Sequence, residues 1–398
     1  GAVVGRLGAE PPHYLRSVGA SSGGAPRVPT RLHASTQNWL DSEDSPEREQ
    51  DELRRMTAFD DYGFFFEVHV PPGWEARLEQ LSLRLIHSGD SSEVFKAEIA
   101  VDTSVSVALK VADSEDVSLR REWHIRQRIA MMQNAMLMRR SHIVPLWDYE
   151  AFRDSTFLLL PAADCSLREL LDMEQLRKKR ERGEPVLGTE KTLTLLIDML
   201  RGLRNLEEAG ILHNDLTPDN ILIQGGRAYI TDFSTACLTH DGDRGYGCAD
   251  LHDMMGDLVG SVYTHAPEMV DGVPTGHANS VWAMGLVLAE MALGYLPAVP
   301  PGLEFDQIDA HDRDEAKRRE MHAKISDKFA ITKAEGFADA PAQLQELLAG
   351  MLGKSEHIRW SCTGAIEAAL RIAKDLGVEV PAETAMPGTP RAWVGESS

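Results

Sequence analysis

The sequence has no surplus of positive charge: Lys and Arg total 41 against 62 Asp and Glu, a formal net charge of −21. A phosphate backbone is met by clustered cations, so this balance speaks against nucleic-acid binding and leaves basic polypeptides as the better-matched partner. Cysteine is scarce, with four residues (Cys165, Cys237, Cys248, Cys362) and no CxxC pair, which tells against a zinc ribbon or a thioredoxin-type centre. Cys237 and Cys248 could bridge in a secreted protein, but unpaired thiols are the default expectation. No apolar run of roughly eighteen residues occurs, and no apolar signal core opens the chain. A soluble protein is expected; the chain starts at Gly1 rather than methionine, which is compatible with a leader already removed. Oligomeric state and any membrane contact of the N-terminal region stay open, its arginines being sparse.

With 398 residues, 43% of them hydrophobic, the chain has room for two packed lobes and a loose end. Residues 1–40 are rich in Gly, Ala, Pro and Ser, and 41–61 turn acidic, so 1–60 reads as a flexible extension. A lead-in over 61–80 contains Pro71, Pro72, Gly73 and Trp74. Over 81–160, Leu81 to His87, Glu93 to Ala100, Ser104 to Ala112, His142 to Tyr149 and Phe157 to Leu160 are short β-rich runs, with one charged helical stretch from Ser118 to Met138. Over 161–380 the period is helical: Leu193, Leu196, Ile197, Leu200 and Leu203 share a face, and Gly210 is placed to end that helix. Val281 to Leu293 is apolar almost all round and reads as a buried central helix, with Ala342 to Leu352 and Thr363 to Leu376 as closing helices. Met173 to Lys191 reads as a surface insertion and 381–398 as a flexible tail. The expected class is α+β: a small antiparallel sheet lobe with one helix, and a larger, mainly helical lobe.

Two stretches carry the chemistry, HNDLTPDNILI (His213 to Ile223) and YITDFS (Tyr229 to Ser234). Asp215 precedes Asn220 by five residues, and Asp232 follows on the next hairpin. A carboxylate beside a hydroxyl acceptor and oxygen ligands for Mg²⁺ are what phosphoryl transfer needs. An isolated HxD turn is also compatible with a purely structural loop; the downstream Asp-Phe pair tells against that. In the third β-rich run, Val105, Val107, Leu109 and Val111 share one face, which puts Ala108 and Lys110 together on the other, facing water or a ligand.

In order, these stretches resemble the motifs of the eukaryotic-type protein kinase superfamily over approximately Leu81 to Leu376. Val107 to Lys110 resembles the motif whose lysine holds the α- and β-phosphates, His213 to Asn220 the catalytic loop, and Thr231 to Ser234 the magnesium motif. Ala266-Pro267-Glu268 matches unchanged, Trp282 to Gly285 resembles the central-helix signature, and Arg359 stands where the family has an arginine paired with that glutamate. The resemblance implies a bilobal protein-kinase-like fold, ATP and Mg²⁺ as cofactors and a protein substrate, basic in view of the charge. By it, Asp215 would orient the acceptor proton and Asn220 and Asp232 would bind Mg²⁺. Lys110 would position ATP, paired with Glu122 of the helix; Gly89 would lie over the phosphates, Val94 and Ala108 above the adenine and Leu222 below it. Ser261, placed near the catalytic aspartate in the resemblance, favours serine/threonine specificity.

The departures keep rivals open. Of three glycines over the phosphates only Gly89 is present, with His87 and Ser92 in the outer positions. Asn214 replaces an arginine that grips a phosphorylated loop, Thr217 a lysine near the transferred phosphate, Ser234 the last glycine of the magnesium motif, and Ser280 an aspartate that braces the catalytic loop. Arg126, one helical turn after Glu122, stands where the family buries an apolar residue, so a shifted register or a merely solvated Glu122 remains open. A pseudokinase scaffold or regulatory binding module is the second reading. A third is a small-molecule kinase of the aminoglycoside or choline type, whose catalytic loop is similar; Glu268 and Arg359 stand against it. The degenerate glycine loop, the Pro-Pro-Gly-Trp lead-in and the long extension are together similar to the divergent rhoptry-type secreted kinases of apicomplexan parasites, which implies secretion. A cytoplasmic location is the alternative.

Overall fold

The computed structural model describes residues 55–59, 65–79, 83–89, 92–100, 102–134, 142–177, 185–239, 247–248, 259–271, 276–297, 320, 330–390 and 393. The expected extension therefore lies outside the described residues up to 54. The small lobe is a seven-stranded sheet: β1 (Arg55–Phe59), β2 (Phe65–His69), β3 (Arg84–Ser88), β4 (Glu93–Ile99), β5 (Asp102–Asp113), β6 (Asp148–Phe152) and β7 (Ser155–Pro161). Their order is β2-β1-β3-β4-β5-β7-β6, antiparallel throughout except for β1 beside β3. One helix, α1 (Val117–Asn134), packs on it. The alternation in β5 holds: Val107, Leu109 and Val111 join the lobe's own core, while Ala108 and Lys110 are buried on the face toward the large lobe.

Two boundaries differ from the sequence reading. The small lobe begins before residue 81, because β1 and β2 form a hairpin on the sheet edge and Trp74 of the lead-in, 3% exposed, packs edge-on to Phe157 with ring centroids 6.2 Å apart. The strand expected from His142 begins only at Asp148; the residues before it cross between the lobes, where Ile143 bridges Ile230 and Trp147 N–H bonds Leu159 O. Pro145 in that stretch has no N–H to give a ladder.

The large lobe contains α2 (Leu167–Arg177), α3 (Thr189–Glu208), α4 (His277–Leu293), α5 (Ala342–Met351) and α6 (Cys362–Asp375). Short strands β8 (Cys165–Ser166), β9 (Ile211–Leu212), β10 (Ile221–Gln224), β11 (Arg227–Ile230) and β12 (Cys237–Leu238) line the side facing the small lobe. Helix α4 is buried almost all round, as its composition requires, and its end is set by Gly294 in the left-handed region. Gly210, at φ 69°, ends α3 in the same way. Met173 to Arg177 belong to α2 rather than to a surface insertion. Among the described residues no helix is long and apolar enough to cross a membrane.

Of the expected flexible tail, residues 381–390 and Trp393 are described, and these are anchored rather than loose. Arg201 and Arg227 of the large lobe donate to the carbonyls of Pro381 and Ala382, both at 3.0 Å, and Tyr229 Oη lies 3.1 Å from Thr384 Oγ1. Further on, Trp147 Nε1 donates to Pro387 O at 3.0 Å, and Trp393 Nε1 to Asp148 Oδ2 at 2.7 Å in the small lobe. Met386 is buried with Val144, Leu160 and Tyr229, and Trp393 packs edge-on to Trp74. An extended strap anchored by side chains onto its carbonyls has no helical or strand period, which is why its sequence reads as loose. It runs from one lobe to the other, so Trp393→Ala is expected to cost about 2–4 kcal/mol of unfolding free energy in urea titrations; an untethered tail would leave stability within about 0.5 kcal/mol.

Candidate active site

Helix α1 is polar, yet three of its charged residues are buried, Arg121, Glu122 and Arg126, of which Glu122 and Arg126 are 0% and 2% exposed. Lys110 Nζ donates to Glu122 Oε2 at 2.8 Å and to Asp232 Oδ1 at 2.9 Å. Glu122 is therefore buried against Lys110 and is not a solvated glutamate. Arg126 accompanies it, bonding the other oxygen, Glu122 Oε1, at 2.8 Å through Nε. Burial alone would depress the Lys110 ammonium; Asp232 and Glu122 more than reverse that, so its pKa stands above the ordinary lysine range and the charge is fixed. Burial likewise works to raise the pKa of Asp232, but Lys110 and then Ser234 overcome it and hold this carboxyl well below the usual carboxylate range.

The catalytic-loop stretch follows β9 and leads through a single 3-10 turn (Pro218–Asn220) into β10. Asn214 and Asp232 adopt left-handed backbone, φ 65° and 59°, a conformation that Asn and Asp tolerate better than other side chains. Asp215 Oδ2 accepts from Asn220 Nδ2 at 2.9 Å, while its Oδ1 accepts from Ser261 N at 3.0 Å and Ser261 Oγ at 2.6 Å. Asn220 Nδ2 also donates to Asp215 O at 2.8 Å. Both amide hydrogens are thereby used, and the carbonyl end of Asn220 is left as an oxygen donor. Buried His213 meets Thr231 O through Nε2 at 2.8 Å and accepts from Asp215 N through Nδ1 at 3.3 Å. Burial lowers its pKa, in keeping with that neutral tautomer.

Three features near this loop escaped the sequence reading. Gly260, at φ 82°, passes so close to the loop that a Cβ there would stand 1.9 Å from Asn214 O. Thr235 Oγ1 donates to His213 O at 3.1 Å, bracing the loop from the segment after Asp232. Cys237 and Cys248 form a disulfide, with Cα atoms 4.9 Å apart, contrary to the expectation of free thiols. Spacing alone could not decide this pairing: the two cysteines are 11 residues apart, and they meet where Leu238 also bridges Gly247. Asn214 Nδ2 reaches into this corner, donating to Thr235 O at 3.0 Å and lying 3.3 Å from Cys237 Sγ. The side chain that stands where a phosphate grip would be thus ties the loop to the disulfide. Reduction, or Cys248→Ser, is expected to destabilise the fold by about 2 kcal/mol, read as a lower thermal midpoint; an unchanged midpoint would contradict it.

Further from the loop, Glu268 and Arg359 form a bidentate pair, Nη1 to Oε1 at 2.6 Å and Nη2 to Oε2 at 2.8 Å, with Arg359 over the Trp282 ring at 5.0 Å. This locks the end of the segment that carries Ser261 onto α4.

Between the lobes, Ala108 and Leu160 form an apolar cluster with Val94 and Leu222 packed against it, so residues of β4, β5, β7 and β10 meet. Leu160 was not singled out in sequence, though it sits directly across the β5–β7 ladder from Ala108. Gly89 is exposed, and its N–H bonds Ser92 O at 2.9 Å, closing the turn between β3 and β4. Asp232 and the free oxygen of Asn220 are hard donors of the kind Mg²⁺ takes when phosphate oxygens and water complete its shell. Among the described residues no cage of three or more His, Cys, Asp or Glu exists that would hold a metal without them. The donor set thus fits a phosphate-bound cation.

A family model described as "Protein kinase domain" matches residues 82–370. The dual specificity protein kinase YAK1 homolog of Arabidopsis thaliana is 30% identical over 173 residues, 42% of this chain and 16% of that protein. The serine/threonine/tyrosine-protein kinase HT1 of the same plant is 30% identical over 139 residues, 34% of this chain and 33% of that protein. The serine/threonine-protein kinase CLA4 of Candida albicans is 27% identical over 226 residues, 56% of this chain and 20% of that protein. In each case the match spans a third or less of the relative's length.

Proposed function

Because the chain belongs to the protein kinase domain family, we propose that it is an active protein serine/threonine kinase, transferring the γ-phosphate of ATP to a protein hydroxyl with Mg²⁺. The observation that carries this reading is the assembled polar set: Lys110 bound to both Glu122 and Asp232, beside Asp215 joined to Asn220. Bound ATP would supply the phosphoryl group, with Mg²⁺ neutralising its charge. Lys110 would hold the nucleotide's phosphates, Asn220 and Asp232 the cation, Gly89 the turn above the phosphates, and Val94, Ala108 and Leu222 the base. Asp215, its two oxygens oriented by Ser261 and Asn220, would receive the proton of the attacking hydroxyl. Thr217 brings no cation to the transferred phosphate, so turnover is expected to be slower than a lysine there would give.

The Glu268–Arg359 lock and Ser261 on Asp215 support a protein rather than a small-molecule acceptor, and the net charge of −21 supports a basic one. The single glycine at the β3–β4 turn favours the second reading, a pseudokinase scaffold. The Cys237–Cys248 bridge supports maturation in an oxidising compartment and is in keeping with the narrower likeness to rhoptry-type secreted kinases. The test is labelled ATP offered together with a basic protein, an aminoglycoside and choline, followed by phospho-amino-acid analysis. Phosphoserine or phosphothreonine is expected; label on the small molecules alone would contradict the reading.

A further inference from the structure

Arg126 is the residue on α1 that the motif pattern does not explain. A guanidinium is costly to bury unless its donors are used and its charge is paired. Here both conditions are met by groups from three places in the chain. Nε donates to Glu122 Oε1 at 2.8 Å, and Nη2 lies 2.7 Å from the same oxygen. Nη1 donates to Val144 O at 2.6 Å, and Nη2 to Thr231 Oγ1 at 3.2 Å. The guanidinium carbon also sits 4.8 Å from the centre of the Phe233 ring. Thr231 and Phe233 flank Asp232, so one side chain grips α1, the crossing between the lobes and both neighbours of the proposed cation ligand.

The geometry points to Arg126 as a positioning residue, and we propose that it clamps α1 so that Glu122 Oε2 is presented to Lys110 while Thr231 and Phe233 hold Asp232 in place. The proposal rests on the kinase reading for its catalytic consequence, but not for the clamp itself. Glu122 divides its two oxygens between two cations, Oε1 to Arg126 and Oε2 to Lys110. The set is charge-balanced, buried Lys110 and Arg126 against buried Glu122 and part-exposed Asp232. An apolar side chain at 126 would fill space but would leave Glu122 Oε1 and Val144 O without this donor, and nothing but packing would tie α1 to Thr231. Swinging α1 outward must break the Lys110–Glu122 pair, the Arg126 bonds to Val144 O and Thr231 Oγ1 and the Phe233 ring contact together, while the Arg126–Glu122 pair lies within the helix and moves with it. A lysine carries the charge but cannot span these partners, because its single ammonium lacks the planar fork.

The test uses the full chain with R126M, R126K, E122Q and the R126M/E122Q double variant, read in two ways. Hydrogen–deuterium exchange over Val117–Asn134 and over residues 229–233 needs no catalysis; R126M is expected to speed exchange in both segments about tenfold or more, with R126K between it and wild type. In single-turnover transfer, R126M is expected to lose about 100- to 4,000-fold, the loss that breaking one side of a buried ion pair corresponds to. Because part of its effect passes through Glu122 and part through Thr231 and Phe233, the double variant should be worse than E122Q alone but lose less than the product of the two single losses. If R126M does not fold, Thr231→Val cuts one arm of the clamp at nearly constant shape and is expected to lose about 3- to 10-fold with faster exchange over 229–233. Wild-type exchange rates in R126M or, where it does not fold, in T231V, or losses that multiply in the double variant, would overturn the clamp. Faster exchange in R126M with no transfer by wild type would uphold the clamp and contradict the kinase reading instead.

Discussion

Asp215→Asn is expected to lower single-turnover phosphate transfer about 100- to 10,000-fold while leaving the fold intact. The carboxylate accepts three hydrogen bonds, from Ser261 N, Ser261 Oγ and Asn220 Nδ2. An amide can keep only part of that set, and it cannot take a proton from an acceptor hydroxyl. The shape is unchanged and the site is partly open to solvent, so a stability loss no greater than about 1 kcal/mol is expected. Transfer retained by D215N would remove Asp215 from the chemistry, and a variant that unfolded would contradict the expected small loss of stability; in the folded variant wild-type nucleotide affinity is expected.

Gly260→Ala should have the largest structural effect. Its φ of 82° disfavours any side chain, and a Cβ would stand 1.9 Å from Asn214 O, a backbone atom that cannot rotate away. To admit a methyl, the stretch carrying Ser261 must separate from the catalytic loop, which breaks both Ser261 bonds to Asp215. A loss of about 3 kcal/mol or more is expected, together with transfer. Gly276→Ala is the matched control, since nothing lies within 4 Å of a Cβ there; it should cost no more than about 1 kcal/mol. Equal effects of the two substitutions, measured by urea denaturation, would show that the close approach does not constrain the loop.

Much of this was legible in the sequence where local pattern and long-range structure agree. Period two in β5 put Ala108 and Lys110 on one face, and the buried interior of α4 followed from a composition apolar all round. The pairing of Arg359 with Glu268, 91 residues away, was legible only through resemblance, since no period relates them. The glutamate at 122 was ambiguous for a physical reason: a helix as polar as α1 offers no amphipathic stripe to fix its register, and Arg126 sits on the inward face because its charge is satisfied there, not because it is apolar. The C-terminal strap is not legible because it depends on contacts far apart in sequence, side chains of both lobes meeting carbonyls of an extended segment, and the Cys237–Cys248 bridge, 11 residues apart, because spacing alone does not separate a bridged pair from two free thiols. Gly260 carried a weak signal, a glycine directly before Ser261, but its need for positive φ appears only when the catalytic loop is packed against it.

The most direct test of the central claim is single-turnover transfer from γ-labelled ATP with Mg²⁺ to a generic basic protein, comparing wild type with Asp232→Ala. The account predicts labelled protein from the wild type and loss of label in D232A, since that substitution removes an oxygen donor for the cation and one of the two carboxylates that hold Lys110. Label that persists in D232A, or folded wild type that binds ATP and transfers nothing, would contradict it.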